Sequence, residues 1–531
     1  MDKLPQNILD KIIELIAEDA YNPKFLPAHK MAVAPYATVS SRFREAVERI
    51  TFHGLILCTT DIPDATSILA RYSRWMYLKG IRFNIALWPY DGPALARLET
   101  AKEQKSNSYL FSANIEVIFK FFQQWPGNVT PVPSEPVPIA LYMAIHSATD
   151  AELKIYSDVL THYGPDAVGN DIEIWRYHRS LLRLDDRPLP SLAHVPISEL
   201  HFPTEFYRRN IDPSSLSRIA SFMNSTLKTI SWAFNDVEKK NLSIRRAYRQ
   251  RFANAINNLP NLSNANLKIE YVAPRDHNFQ PPILYGSNEE DGVSCAIRKL
   301  CQRTEVVRAT GLLGSTELFW PKKISDSTPE PHFEALEQLK ITFHPLTPRG
   351  KWMFGRDWRE EDGNFRYIDL CPEPDEIRGP EDNQWNLYRH APKQKYMDKF
   401  YEALGKAAAR MPKVRVIVIR STNYLVSRQG EERTLHRFVF KVYEDRKARA
   451  SWLSNPEYKP SDSVVKVWKK SAYELALDLT VEASSTPNPD NLAEDMEIDE
   501  PGWQYEDADA VEYEMGQAGG NNHNMAGFPM S

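Results

Sequence analysis

The chain has 531 residues, of which 42% are hydrophobic and 25% charged, and its formal net charge is −5. This composition is typical of globular proteins and excludes the disordered and fibrous classes. No uninterrupted apolar run approaches the roughly 18 residues of a membrane span, and the N-terminus lacks the pattern of a signal peptide. The four cysteines, Cys58, Cys295, Cys301 and Cys371, form no C-x-x-C pair, which favours reduced thiols in the cytoplasm or nucleus.

Two amphipathic helices are predicted within residues 1–52. Leu4-Pro5 begins the first, since proline in the first turn of a helix removes no helical hydrogen bond. The apolar residues of this helix recur at spacings of one, three and four; they are Ile8, Leu9, Ile12, Ile13 and Ile16. After a linker at 21–35, the apolar side of the second helix is marked by Val39, Phe43, Val47 and Ile50.

From residue 53 onwards, strand-like and helix-like segments alternate. Runs with a period of two predict strands at 81–87, 139–145, 230–234, 267–271, 339–343 and 414–418. Helical periodicity predicts helices at 107–124, 213–223, 242–256 and 394–411. This alternation favours an α/β fold with parallel strands joined by crossovers, either as a doubly wound sheet or as an open solenoid.

Two observations favour the solenoid for residues 53–482. No glycine-rich nucleotide fingerprint follows a first strand, and several strands begin with a short polar entry, as in Leu227-Lys228-Thr229-Ile230. The intervals between strands are uneven, and a regular leucine-rich repeat would keep a period of roughly 20–29 residues. We therefore expect an irregular leucine-rich-repeat-like solenoid.

Two further segments depart from this pattern. Residues 345–395 form a long polar and aromatic insertion, and an insertion of this length is usually functional or disordered. The tail at 483–531 contains eleven Asp or Glu and no Lys or Arg, and it is predicted to be disordered, either as a solubilising end or as an interaction tail. The remainder has 65 Lys and Arg against 70 − 11 = 59 Asp and Glu, a net charge of +6.

No motif with catalytic or metal-binding spacing is present, so we expect no enzyme activity, metal or cofactor. Residues 357–363, DWREEDG, place Arg359 where a calcium loop needs an oxygen ligand. Residues 311–316, GLLGST, lack the lysine of a phosphate-binding loop and are predicted to form a turn. A basic set on the helix at 242–256 is interpreted as a solvated helix face rather than a nucleic-acid surface; it comprises Arg245, Arg246, Arg249 and Arg251.

The N-terminal segment resembles the F-box. The matching residues are Leu4, Pro5, Ile8, Leu9 and Ile12 in the first helix and the run Val39-Ser40-Ser41-Arg42-Phe43-Arg44. Further runs resemble those of a fungal-type F-box family with a C-terminal domain of unknown function; they are APYATV at 34–39, KWMF at 351–354, AAARMP at 407–412, and Trp452-Leu453 leading to Tyr458-Lys459-Pro460. The resemblance implies a small helical unit, residues 1–52, that binds the Skp-type adaptor of a cullin–RING ubiquitin ligase.

The resemblance implies a substrate receptor of that ligase, with the adaptor and cullin scaffold as partners and no membrane or specific nucleic acid. The expected adaptor-binding residues are Leu4, Pro5, Ile8, Ile12, Val39 and Phe43. Trp358 and Arg359 in the insertion are the candidates for binding an unidentified protein client, because Trp and Arg are enriched at binding hot spots; the alternative is that the insertion only seals the core. Two other functions remain open: an F-box scaffold or sensor that promotes no ubiquitin transfer, and an enzyme with an unrecognised site in the insertion.

Overall fold

The computed structural model of the protein describes residues 4–19, 33–95, 97–125, 138–147, 149, 176–202, 209–223, 225–271, 274, 276–285, 290–325, 329–356, 379, 389–421, 424–426, 432–434 and 436–485. These residues divide into two compact units. The first includes described residues up to 55 together with 67–80, and the second includes 56–66 and the described residues from 81 onwards. The first unit therefore extends past residue 52, the predicted end of the N-terminal domain.

The helices and strands have the following bounds. The α-helices are α1 Gln6–Asp19, α2 Ser41–Thr51, α3 Ile62–Leu69, α4 Tyr72–Tyr77, α5 Gly92–Leu95, α6 Ala101–Phe122, α7 Pro213–Ser221, α8 Leu242–Asn257, α9 Gly292–Cys301, α10 Gln394–Ala408 and α11 Asp462–Glu474. Short 3-10 helices form at Ala34–Thr38, Thr59–Asp61 and Thr316–Leu318. The strands are β1 Gly54–Cys58, β2 Gly80–Leu87, β3 Ile139–Ser147, β4 Leu181–Leu182, β5 Ile197–Phe202, β6 Asn210–Ile211, β7 Thr229–Asn235, β8 Asn264–Glu270, β9 Val306–Leu313, β10 Gln338–His344, β11 Phe354–Arg356, β12 Arg389–Pro392, β13 Val416–Ser421, β14 Tyr424–Val426, β15 Glu432–Thr434, β16 His436–Val442, β17 Lys447–Ser454 and β18 Asp478–Ser484.

The core of the first unit lies between α1 and α2. Its buried residues are Leu9, Ile13, Val33, Phe43, Ala46 and Val47. Ser40 caps α2, and its hydroxyl accepts a hydrogen bond from the Phe43 backbone amide at 3.4 Å. The two predicted N-terminal helices are confirmed, and the 3-10 helix Ala34–Thr38 precedes the second one.

The second unit is built on one large sheet. Twelve strands lie in the order β1-β2-β3-β5-β7-β8-β9-β10-β13-β16-β17-β18, which follows the order along the chain. The pairs from β3 to β13 are parallel, β16 is antiparallel to both β13 and β17, and β18 is parallel to β17. A doubly wound sheet would reverse its strand order at a switch point, and this order does not reverse.

Helices from distant parts of the chain pack on the same face of this sheet. Phe252 of α8 contacts Trp232 and Phe234 of β7, with ring centroids 4.8 and 4.4 Å apart. Phe400 of α10 lies 5.2 Å from Phe343 of β10, and Trp468 of α11 lies 5.0 Å from Phe438 of β16. Because successive side chains of a strand alternate between faces, the other face carries the polar positions of the same strands.

The six predicted strands are confirmed, because each alternating run lies in or overlaps a strand. The predicted turn at Gly311 is wrong, because this glycine lies inside β9 with a φ of 72°. A Cβ atom there would lie within 2 Å of the Ile269 carbonyl oxygen, so the close approach of β8 requires glycine. The last strand ends at Ser484, so the first two residues of the predicted tail belong to the sheet; the tail beyond residue 485 lies outside the described residues.

Candidate functional site

Helix α1 carries two apolar stripes. One stripe faces the core and contains Leu9 and Ile13, which are fully buried, and Ile16, which is partly buried. The second, here called the outer stripe, consists of Pro5, Ile8, Ile12 and Leu15, at spacings of three, four and three. Ile8 and Leu15 are 43% and 50% exposed. Neighbours three and four apart share one helix face, so these side chains form a continuous apolar strip at the surface of the first unit.

The predicted adaptor-binding residues divide between the core and the surface. Phe43 is only 3% exposed and belongs to the core, and Leu4 packs against the same cluster. These two side chains therefore support the fold of the unit. Pro5 and Ile8 are exposed, Ile12 is half-buried, and Val39 is 56% exposed.

Leu15 and Tyr36 are exposed apolar side chains of the first unit that were missed in the sequence. Leu15 completes the outer stripe, and Tyr36 lies in the 3-10 helix before Val39 with 38% exposure. Leu15 follows Ile12 by three residues, and this helical spacing is the signal that would have identified it. Tyr36 gave no periodic signal because it lies outside an α-helix.

Polar contacts fix α1 on α2 independently of the outer stripe. The Gln6 side-chain amide donates to the Arg42 carbonyl oxygen at 3.1 Å, and Arg49 forms an ion pair with Asp10. Within the same unit, Arg74 pairs with Glu48 of α2 at 2.6 Å. The outer stripe therefore projects from a helix that is already anchored by its core side and by these contacts.

The second candidate site is a cluster of cations on the polar face of the sheet. Arg308 of β9 lies directly opposite Lys340 of β10, and Arg420 of β13 lies directly opposite Arg437 of β16. Arg420 also pairs in register with Thr342, two residues along the strand from Lys340. These four residues are here called the basic strand cluster, and all four are half-buried. With neighbouring strands about 4.8 Å apart, the cluster spans about 15 Å across four adjacent strands.

The cluster is close enough for its charges to act on one another. Burial lowers the pKa of Lys340, and the positive charges of Arg308, Arg420 and Arg437 lower it further. Burial also lowers the pKa of Arg308, whose Nε atom is buried and makes no hydrogen bond. Like charges directly opposite one another disfavour strand pairing, and the Arg420–Arg437 pair has this arrangement.

The predicted client-binding residues, Trp358 and Arg359, lie outside the described residues. The described ends of the insertion are packed into the body. Trp352 joins a buried cluster with Leu313 and Leu346, and its indole Nε1 donates to the Phe279 carbonyl oxygen at 3.0 Å. Strands β11 and β12, one at each end of the insertion, pair with each other in antiparallel fashion. At its ends the insertion is thus structural.

Only half of the basic set on α8 forms a solvated face: Arg246 and Arg251 are exposed, as the sequence predicts, but Arg245 and Arg249 are not. Arg245 and Arg249 are buried and bind Asp236, at 2.9 and 2.7 Å. Arg249 also binds Asp291 at 2.9 Å. The buried side of the helix runs through Arg245, Arg249, Phe252 and Ile256. Because the two arginines neutralise buried carboxylates, they are structural and do not form a phosphate-binding surface.

One buried trio has the composition of a proton relay. The Tyr401 hydroxyl lies 2.6 Å from Nε2 of His436, whose Nδ1 lies 3.0 Å from the Ser454 hydroxyl. Each residue is at most 1% exposed, and burial lowers the pKa of His436 to about 3. The imidazole is therefore neutral near pH 7 and enclosed, and the trio connects α10 to β16 and β17.

Comparison with known proteins adds no assignment: no family model matches the chain, and a search of curated proteins finds no relative. Among the described residues, no three His, Cys, Asp or Glu side chains are grouped so that they would bind a metal ion. None of the helices formed by the described residues is long and apolar enough to span a membrane. The function is therefore argued from the outer stripe and from the architecture of the sheet.

Proposed function

We propose that the protein is the substrate-receptor subunit of a Skp–cullin–F-box ubiquitin ligase. The first unit binds the Skp-type adaptor, and the second unit holds a protein client. The chain has no chemistry of its own in this role; it brings the client to the ligase. The proposal extends the resemblance of residues 4–16 and 39–44 to the F-box.

The observation that carries the proposal is the outer stripe of α1. A helix that already buries Leu9 and Ile13 needs no further apolar residues for its own fold, yet Ile8 and Leu15 remain about half exposed. Contiguous exposed apolar surface on a small unit is typical of a protein interface, and anchors at spacings of three and four are those of a helix bound in an apolar groove. Val39, 56% exposed, adds a further apolar contact.

For the second unit we infer an irregular leucine-rich-repeat-like solenoid. Its strand order follows the chain without reversal, and α8, α10 and α11 pack on one face. Repeat proteins of this kind bind partners along a continuous open surface. The polar sheet face is the corresponding surface here, and the proposal places the client there.

The test is co-purification of the full chain with the Skp-type adaptor. Ile8→Asp should abolish adaptor binding, because the interface would bury an unpaired charge, which costs several kcal/mol. Asn7→Asp introduces the same charge on the same helix at an exposed position outside the outer stripe and serves as the matched control. If the Ile8→Asp variant binds the adaptor as tightly as the wild type does, the proposed function is wrong.

A second measurement separates the receptor from a scaffold. When the adaptor is captured from cells with the full chain, a receptor also brings down the cullin. Recovery of the adaptor without the cullin would instead support an F-box scaffold or sensor that promotes no ubiquitin transfer.

A further inference from the structure

We propose that the protein forms a homodimer through β18, the last strand of its sheet, which pairs in antiparallel fashion with β18 of a second copy. This inference goes beyond the proposed function, and the pairing requires neither the adaptor nor the cullin. It rests on the backbone groups that β18 leaves open and on the side chains that flank them.

The first step of the argument is that one edge of β18 is open. Within the described part of the chain, β18 ends the twelve-stranded sheet and pairs with β17 alone. The Asp478 backbone amide donates to the carbonyl oxygen of Arg446, which directly precedes β17, at 2.9 Å. In a strand, the N–H and C=O groups of successive residues point to opposite edges. Those of Leu479, Val481 and Ala483 therefore point away from β17, and such groups are a template for another strand.

The second step is that β18 has an apolar side that is incompletely covered. The side chains of Leu479, Val481 and Ala483 lie on the core face of the sheet. They pair in register with three buried residues of β17, which are Ala448, Ala450 and Trp452. Leu479 and Val481 are nevertheless only half-buried, and Ala483 is exposed. A further strand beside β18 would cover this apolar surface, and its removal from water would favour the pairing.

The third step is that the open edge is complementary to itself. An antiparallel pair centred on Val481 places Val481 opposite Val481 of the second copy and Leu479 opposite Ala483 of the second copy. In antiparallel sheets, opposite residues that exchange two hydrogen bonds alternate with opposite residues that exchange none. Because the three residues with outward-pointing groups meet only one another, this register pairs their open N–H and C=O groups and keeps apolar side chains against apolar side chains.

The same register also suits the polar side of β18. It places Thr480 opposite Glu482 of the second copy and Asp478 opposite Ser484 of the second copy. Each carboxylate thus faces a residue with a hydroxyl group and not another carboxylate, the arrangement that would disfavour strand pairing. Thr480 and Glu482 are exposed, so neither side chain has to leave a buried position for the two strands to meet.

The test measures the mass of the full chain by sedimentation equilibrium. A ladder between two short strands buries less area than a standard interface of about 1,600 Å², so we expect a weak dimer. Its mass should rise from that of a monomer towards that of a dimer between about 1 and 100 µM. Hydrogen exchange of the segment 478–484 should be slower at the high concentration, because its outward N–H groups become paired. A chain that stays monomeric throughout would overturn the inference and leave this edge to a strand of another protein.

Val481→Pro tests the centre of the ladder. Proline removes the N–H of Val481, which points away from β17, so the pairing of β18 with β17 loses no hydrogen bond. The dimer loses its central hydrogen bonds in both copies, and its Kd should rise by about tenfold or more. Thermal unfolding confirms that the variant is folded.

Thr480→Glu tests the register. It places a second carboxylate opposite Glu482, and because the contact occurs twice in a symmetric dimer, the Kd should rise by about fivefold or more. Thr480→Gln is the matched control, since it introduces a side chain of the same length without the charge; its Kd should stay close to that of the wild type. Should Val481→Pro unfold, the comparison of these two variants still decides.

A dimer with the same Kd in the wild type, Val481→Pro and Thr480→Glu would use another surface and would overturn the inference. Equal losses in Thr480→Glu and Thr480→Gln would likewise contradict the proposed register. The outcome is separate from that of the adaptor test, because self-association is measured without the adaptor. A chain that dimerises through β18 but does not bind the adaptor would refute the ligase function and leave this interface in place.

Discussion

A carboxylate oxygen of Asp236 lies 2.7 Å from Nη1 of Arg249, and both side chains are buried. Asp236 directly follows β7, whereas Arg249 lies on α8 and also binds Asp291, the N-cap of α9. The pair therefore connects the end of a strand to two helices. Burial on its own would raise the pKa of Asp236, but Arg245 and Arg249 outweigh it and hold the pKa below its usual value.

Asp236→Asn should destabilise the protein by about 3–5 kcal/mol, because it removes the buried carboxylate that Arg245 and Arg249 share. Chemical denaturation at neutral pH measures the loss. Asp445→Asn removes a carboxylate from an exposed pair with Lys447 and should be indistinguishable from the wild type. Equal stabilities for Asp236→Asn and the wild type would show that the buried network does not stabilise the fold.

The protein should lose stability as the pH falls below 6.5. Burial lowers the pKa of His178 and His344 to about 4 and that of His277 and His436 to about 3. In the unfolded chain these four imidazoles bind protons near pH 6.5, whereas in the folded chain they stay neutral until the pH falls to their lowered pKa. The stability that is present above pH 6.5 is therefore lost on acidification. Each group contributes about 1.4 kcal/mol per pH unit in that interval.

Denaturation at pH 7.5 and pH 5.5 measures this dependence. Glu317 acts in the opposite direction because burial raises its pKa, but it is one group against four. The His436→Gln variant should show a shallower dependence on pH than the wild type, whatever its absolute stability. A stability that is equal at both pH values would contradict the assignment of neutral buried imidazoles.

Folding and adaptor binding should be separable in the first unit. Phe43→Ala should destabilise this unit by about 3–5 kcal/mol, because it empties a position in the core. Ile8→Asp should leave its stability close to that of the wild type, because Ile8 is 43% exposed. Hydrogen exchange of the α1 and α2 amides reports on each variant, and faster exchange in Ile8→Asp than in Phe43→Ala would refute the division into core and outer stripe.

Truncation should locate the end of the folded chain. A chain that ends at Ser485 should keep the melting temperature of the full chain, because the removed segment has no apolar periodicity and little to bury. A chain that ends at Leu477 loses β18 and leaves β17 as an unpaired edge, so its melting temperature should fall. A clear fall in the Ser485 truncation would show that Trp503 or Tyr505 contacts the folded part.

The sequence determined the local elements of this protein. The alternation of Ile81, Phe83, Ile85 and Leu87 predicted β2, and the helical period of residues 213–223 predicted α7, because each signal depends on residues that are neighbours along the chain. The apolar residues of α1 from Ile8 to Ile16 were likewise visible as spacings, although Leu15 was missed. The general α/β class follows from such elements in sequence.

Only the tertiary structure decided which residues meet. Arg245 and Arg249 resemble surface arginines in the sequence and became buried because the end of β7 places Asp236 against them. The basic strand cluster joins Arg308 to Arg437 through strand register, which depends on pairing between segments far apart in the chain. Hydrophobic periodicity assigns a side chain to a face of its own strand, but it carries no information on the neighbouring strand, and for that reason the cluster emerged only with the fold.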